Sequence, residues 1–194
     1  MSKNDDRRTK RTQKKLKHAL LELLKEKELN DLSITEVAQY AKCNRVTFYS
    51  HYRDLHDLLT AIFDDYLKEL ITYFRKSYQN LERFSSDDEY RHLPLFEFIY
   101  QNQFVFSLIL NGEVVPGSQN QFCESIVQIS STDLKLGETT EIEVPALNYF
   151  LTYGTLGFFR YWIQQDFKDS PEVMAKKLSY LQSKLFKEAI VFED

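Results

Sequence analysis

Residues Ser33–Leu59 read SITEVAQYAKCNRVTFYSHYRDLHDLL, and the local chemistry of this stretch decides the fold. Ser33-Ile-Thr-Glu36 is a capping box, in which the Ser33 hydroxyl accepts from the Glu36 amide while the Glu36 side chain reaches back to the Ser33 amide. A short helix starts there, with Ile34, Val37, Ala38 and Ala41 facing inward. Asn44 is placed to cap a second short helix over about 45–51, and Asp54 with Asp57 marks the start of another. Two short capped helices, a tight turn and a bracing third meet the geometry of a helix-turn-helix. Ala38 is small where the helices cross, and Phe48, with Cys43 and Tyr52 as neighbours, supplies the apolar packing that sets their angle. The opposite face of the second helix is left with Arg45, Thr47, Tyr49, Ser50 and His51. These are donors and acceptors on an element narrow enough to enter a major groove.

Upstream, Leu16, Ala19, Leu20, Leu23 and Leu24 form the stripe of an amphipathic helix over about 7–28. The first 18 residues carry eight Lys and Arg against Asp5 and Asp6. Residues 1–60 hold 13 basic against 9 acidic groups, and residues 61–194 hold 12 against 20. Such asymmetry points to a basic module that meets a polyanion and an acidic module with another task, although a Lys/Arg run alone is more often a solvated helix face.

Downstream, a continuation helix is expected over 60–80, a polar break at Ser85–Glu89, and helical segments over 94–110 and 119–130. Loops at Asn111-Gly112, Pro116-Gly117 and Gly137 separate them. A helix over 145–166 has Pro at its first turn, and Ser170-Pro171-Glu172 caps a final helix whose Met174, Leu178, Leu181 and Leu185 form a stripe shared between two chains. Val144–Ile163 carries a single charge, Arg160, over 20 residues, long enough to span a bilayer. Its interior Asn148, Thr152 and Thr155 and its aromatic bulk argue against spanning, so it reads as a helix buried on one side by its own domain and on another by a partner. Of the 28 aromatic residues 24 follow residue 60, and an aromatic helical bundle can hold an apolar or aromatic effector. The pocket candidates are Tyr66, Tyr73, Phe98, Phe104, Phe106, Phe158 and Trp162.

Composition excludes several classes. Gly and Pro together number 9, too few for a turn-rich sandwich or barrel, so an all-α fold is expected. Cys43 and Cys123 form no CxxC pair and no disulfide framework, which fits a reducing compartment and argues against zinc; both read as core. The charged start has no apolar run behind it, so no secretory signal is expected and the location is cytoplasmic. His18, His51, His56 and His92 make no metal-ligand pattern, with His18 and His92 expected at the surface. Acidic residues at Asp87–Glu89, Glu138, Glu141 and Glu143 read as solvated loops. No P-loop, GxSxG or acid-base carboxylate pair is present, so neither an enzyme nor a cofactor is expected.

The stretch Thr47-Phe-Tyr-Ser-His-Tyr52 followed by Asp57-Leu-Leu59 resembles the DNA-binding domain of the TetR family of bacterial transcriptional regulators, over roughly residues 7–63. The resemblance implies that Arg45 and Thr47 read bases or line the groove, that Thr35, Tyr49 and His51 contact phosphates, that Val46 and Ser50 lie close to the groove, and that Lys42 and Asn44 belong to the same DNA-binding set. Two positions depart from the family pattern. Lys42 stands where Gly is frequent, which requires a left-handed turn and offers an ammonium to phosphate; Leu55 stands where a phosphate-contacting Lys is frequent. Tyr153-Gly-Thr-Leu-Gly157, Trp162 and Ser170–Ala175 are similar to the C-terminal domain of the dihydroxyacetone-kinase-regulator subgroup, whose last two helices pair into a four-helix dimer interface. That likeness assigns Phe150, Tyr153, Gly154, Gly157, Tyr161, Met174, Leu178, Leu181 and Leu185 to such an interface.

The expected organisation is a helix-turn-helix domain over 1–60, with a basic tail about 1–8, and a helical effector and dimerisation domain over 61–194. The expected function is a homodimeric repressor on a palindromic DNA operator, with no membrane partner, released by a small effector. The alternative is a non-enzymatic regulator whose C-terminal bundle binds a protein partner instead.

Overall fold

The computed structural model describes residues 3–110, 115–137 and 142–192, with side chains from residue 7 onward. Asn111-Gly112 and the acidic Glu138 and Glu141 lie outside the described residues. Among the described residues the chain forms nine α-helices and one small sheet, in two compact units, Met1–Tyr66 and Leu67–Asp194.

In the first unit, α1 (Lys3–Leu23) buries Leu16, Ala19 and Leu20 completely. The helix starts and stops earlier than the expected 7–28 span, and Lys3 to Arg8 are helical where a tail was expected. No Gly or Pro interrupts the first 23 residues. Beyond Leu23 a turn and a single 3₁₀ turn (Leu29–Asp31) bring Leu24, Leu29 and Leu32 inward together, directions that a continued helix would spread apart. The capping box forms as read: Ser33 N donates to Glu36 Oε2 at 2.9 Å, and Glu36 N donates to Ser33 Oγ at 3.2 Å. It opens α2 (Ile34–Tyr40), and Asn44 caps α3 (Arg45–Tyr49). Lys42 between them has φ 56°, the left-handed turn that its position demands of a non-glycine residue. Asp54 Oδ1 accepts from Asp57 N at 2.8 Å at the start of α4 (Leu55–Lys76), one helix that continues into the second unit. Within the first unit, Lys17 ties α1 to α4, its Nζ 2.9 Å from the Ala61 carbonyl and 2.6 Å from Asp65 Oδ2.

The second unit packs α5 (Leu93–Gln101), α6 (Gln103–Leu110), α7 (Ser118–Asp133), α8 (Val144–Gln164) and α9 (Pro171–Gln182) with a three-stranded antiparallel sheet. The segment expected as one helix over 94–110 is two, bent by 95°. Asn102 makes the break, turning its Nδ2 onto the Phe98 carbonyl at 2.8 Å while its own carbonyl accepts from Phe106 N. The strands, β1 (Arg83–Ser85), β2 (Leu134–Leu136) and β3 (Glu188–Val191), lie in the order β1-β3-β2. They escape a reading by periodicity because three or four residues are too few to display alternation. Their inward residues Phe84, Leu136 and Ala189 share a core with Tyr78, Leu147 and Phe186. Gly137 is required there, since a Cβ would stand 2.9 Å from the Glu188 side chain and 3.1 Å from its carbonyl. Asp133 knots the same region, accepting from Tyr78 Oη at 2.7 Å and Arg75 Nε at 2.8 Å.

Ser170 caps α9 as expected, but the helix ends at Gln182, so Leu185 lies beyond it in a turn. His92, expected at the surface, is 3% exposed, because the chain entering α5 folds it under Gln182. Cys123 is buried and Cys43 half-buried. Among the described residues no single helix is long and apolar enough to cross a membrane.

Candidate functional site

The geometry of α3 follows from one side chain on each face. Phe48 is completely buried and stacks edge-on to Tyr49 and tilted to Tyr52, which turns the rest of the helix outward. Val46 is 78% exposed, and Arg45, Asn44, Tyr49 and Ser50 are exposed beside it. Thr47 is half-buried and donates its hydroxyl proton to Asn44 Oδ1 at 2.9 Å, while Ser50 donates to the Thr47 carbonyl at 2.7 Å. With their protons engaged, these hydroxyls present lone pairs, and the Thr47 and Val46 methyls present apolar contact of the kind that a thymine methyl accepts. Arg45 is the donor of the set. Its guanidinium lies 5.9 Å from the Tyr49 ring centroid, with Nη2 3.4 Å from the phenol oxygen, a geometry that leans the fork along the helix. Thr35 and Lys42 are exposed, and His51 is half-buried against Tyr52.

Flanking charges are tied down. The Lys27 ammonium, then the Ser33 cap, hold the Glu36 carboxyl at about 2, and the hydrogen bonds from Arg53 hold Asp57 below the usual carboxylate range. Burial pushes the Tyr52 phenol up to about 12, which keeps it a neutral core group. Arg7, Arg8, Arg11, Lys14 and Lys15 stay exposed along α1. Leu55 is buried, so the position that in the resemblance would hold a phosphate-contacting Lys here serves the core.

In the second unit the nine dimer candidates divide. Phe150 is 64% exposed, and Tyr153, Gly154, Gly157, Tyr161 and Leu181 are exposed with it. Neither Gly154 nor Gly157 has any neighbour within 4 Å of a built Cβ, so another surface has room to approach. Met174 and Leu178 instead face the interior of their own chain, and Leu185 is half-buried. The Tyr149 and Tyr153 phenols are held by acceptors on α7, Tyr153 donating to Asn120 Oδ1 at 2.6 Å.

The seven pocket candidates are dispersed. Tyr66 belongs to the first unit, Tyr73 stacks on Phe98 at 4.4 Å, and Phe106 meets Phe98 edge-on. Phe104 is half-buried on α6, and Phe158 lies in a surface groove with Phe150, Gly154 and Leu181. Trp162 is 1% exposed among Phe96, Tyr100 and Phe167, and its Nε1 donates to the Asp169 carbonyl at 2.9 Å. It pins the turn between α8 and α9. A different set encloses a cavity in this unit, including Arg91, His92, Gln182, Asn148 and Thr152. A sequence signal for part of it exists: Asn148, Thr152 and Thr155 stand at i, i+4 and i+7 on an otherwise apolar helix. Among the described residues no group of three or more His, Cys, Asp or Glu is placed to hold a metal ion.

Comparison with known proteins bears on both units. Residues 92–184 match the family model described as the C-terminal region of a transcriptional regulator. Over 173 residues the chain is 23% identical to the uncharacterized HTH-type transcriptional regulator YxbF of Bacillus subtilis strain 168, covering 87% of this chain and 44% of that protein. The chain thus spans under half the length of that relative. Among solved structures, a TetR-family transcriptional regulator of Syntrophomonas wolfei superposes with a TM-score of 0.69 at 16% identity, over 90% of this chain and 94% of that one. The dihydroxyacetone kinase operon activator DhaS superposes with a TM-score of 0.60 at 17% identity, over 91% of this chain and 98% of that one. Each of these proteins is named as a regulator or activator of transcription or of an operon. The chain has the fold of TetR-type transcriptional regulators, and its residues 92–184 match the model of a transcriptional regulator's C-terminal region.

Proposed function

We propose that this protein is a homodimeric, sequence-specific DNA-binding repressor acting in the cytoplasm, released from its operator by a small molecule held in the second unit. The observation that carries the reading is the split of α3 into a completely buried Phe48 and an exposed Arg45, Val46, Tyr49 and Ser50. A helix so anchored offers its outer face to base edges without loosening the domain. Arg45 and Thr47 read bases, Val46 and Ser50 line the groove, and Thr35, Lys42, Tyr49 and His51 set the register on phosphates. Asn44 acts through its cap, which holds Thr47 in place. The exposed basic run of α1 adds affinity that declines as salt rises.

The exposed Phe150, Gly154, Gly157, Tyr161 and Leu181 supply the face for a second copy. A two-fold dimer reads a palindrome, with half-site centres about one helical turn or a little more apart. Selection from random duplex DNA at near-physiological salt, with sedimentation of the free protein, tests this. The expected outcome is a two-fold-symmetric motif retained by a dimer. Retention without any motif, vanishing as salt rises, overturns it.

A further inference from the structure

The second unit holds a cavity of ≈ 70 Å³, several times what a single water needs. Its walls are apolar for the most part, with Leu70, Leu95, Phe122, Ile126, Leu151 and Phe159 among them. Arg91 is its one cationic wall, 7% exposed.

The surroundings of Arg91 leave it under-compensated. Its Nη2 donates to Gln182 Oε1 at 2.6 Å, and its guanidinium lies 4.4 Å from the Phe84 ring centroid. Its Nε–H is buried and donates to nothing, and no carboxylate forms an ion pair with it among the described residues. The one acceptor it has is shared, since His92 Nε2 donates to the same Gln182 oxygen at 2.9 Å. Burial lowers the guanidinium to about 10 against the attraction of Asp88. A cation held this way costs folding energy that an apolar side chain of the same size would not. The position is explained by an anion that arrives from outside. A single cation with an unpartnered buried Nε–H suits a monoanion, and the walls around it suit an apolar body.

We propose that this cavity binds a small apolar monocarboxylate, its carboxylate on the open N–H of Arg91 and its hydrocarbon body among Leu95, Phe122, Ile126 and Phe159. The inference rests on the effector reading above and names the chemical class of the effector. Asn148, Thr152 and Thr155 add polar points on the wall that discriminate among carboxylates of one size.

The test is calorimetric titration of the full chain with hexanoate, octanoate and phenylacetate, each beside its neutral alcohol and its amine. At least one carboxylate is expected to bind saturably, one per chain, about tenfold or more tighter than the alcohol of the same skeleton, with the amine weakest. Arg91→Met is expected to bring carboxylate and alcohol to equal affinity, and Thr152→Phe, which fills the cavity, to remove both. Should Arg91→Met not fold, the carboxylate-to-alcohol ratio in the native chain and the loss in Thr152→Phe decide. Alcohols binding as tightly as carboxylates overturn the anion assignment and leave the effector reading standing. Carboxylate binding unchanged in Thr152→Phe places the site elsewhere and overturns the proposal. No saturable binding by any of the nine probes overturns both the proposal and the effector reading.

Discussion

The first unit and the second solve packing in opposite ways. Around α3 the core is small and filled: Phe48, Ala38, Val37 and Leu58 are completely or almost completely buried, and Ser33, Glu36, Asn44 and Thr47 are paired within the caps. The second unit has more aromatic bulk but leaves space inside itself, puts a guanidinium and an imidazole on that space, and exposes apolar side chains on α8 and α9. A filled core holds one geometry, which suits an element that must present a fixed set of atoms to a groove. A cavity with buried polar groups gives up stability that a ligand or a partner restores on binding.

The comparison breaks most sharply at Phe48. Phe48→Ala removes the one large side chain beneath α3 and is expected to destabilise the first unit by about 3–5 kcal/mol. Denaturation followed by circular dichroism reads the loss, and a decrease under about 1 kcal/mol would show that α3 is held by something other than this packing.

Arg45→Ala acts on the outer face. It is expected to weaken binding to the selected operator by about 1–3 kcal/mol while leaving stability and binding to random duplex unchanged. Equal losses on both DNAs would make Arg45 a phosphate contact.

The smallest effect concerns His92. Burial, then the Arg91 charge, lowers its basicity well below the usual 6.5, so the folded chain refuses a proton that the unfolded chain accepts. The contribution is a stability loss that begins as pH falls through about 6.5 and steepens to at most about 1.4 kcal/mol per pH unit. Melting of the native chain and His92→Gln between pH 7.5 and 5.5 (roughly one unit either side of that value) checks it. The variant is expected to lose this slope, and parallel curves would show that other groups carry the acid sensitivity.

Legibility in sequence differed between the same two regions. The caps at Ser33, Asn44 and Ser170 were readable because each depends on residues within a few positions, and the left-handed turn at Lys42 was readable from the family resemblance, in which Gly is frequent there. The break at Asn102, the three short strands and the end of α9 before Leu185 were not. The strands follow from partners far away in the chain, since β3 pairs with both Arg83 and Lys135. The cavity of the second unit has walls other than the seven aromatic pocket candidates, because large aromatic side chains such as Trp162 fill space whereas a cavity is where they are absent. Arg91 and His92 stand 91 and 90 positions from Gln182 along the chain and meet it only when α5 and α9 pack.

By itself the sequence determined the all-helical character, the helix-turn-helix and the face of α3 that points outward, since caps, periodicity and charge act over one or two helical turns. Only the tertiary structure decided which apolar stripe stays inside, leaving Phe150 and Tyr161 out and Met174 and Leu178 in, and where a buried charge meets an open space. Those outcomes depend on the sum of packing over the whole unit, a quantity that no local stretch of residues contains.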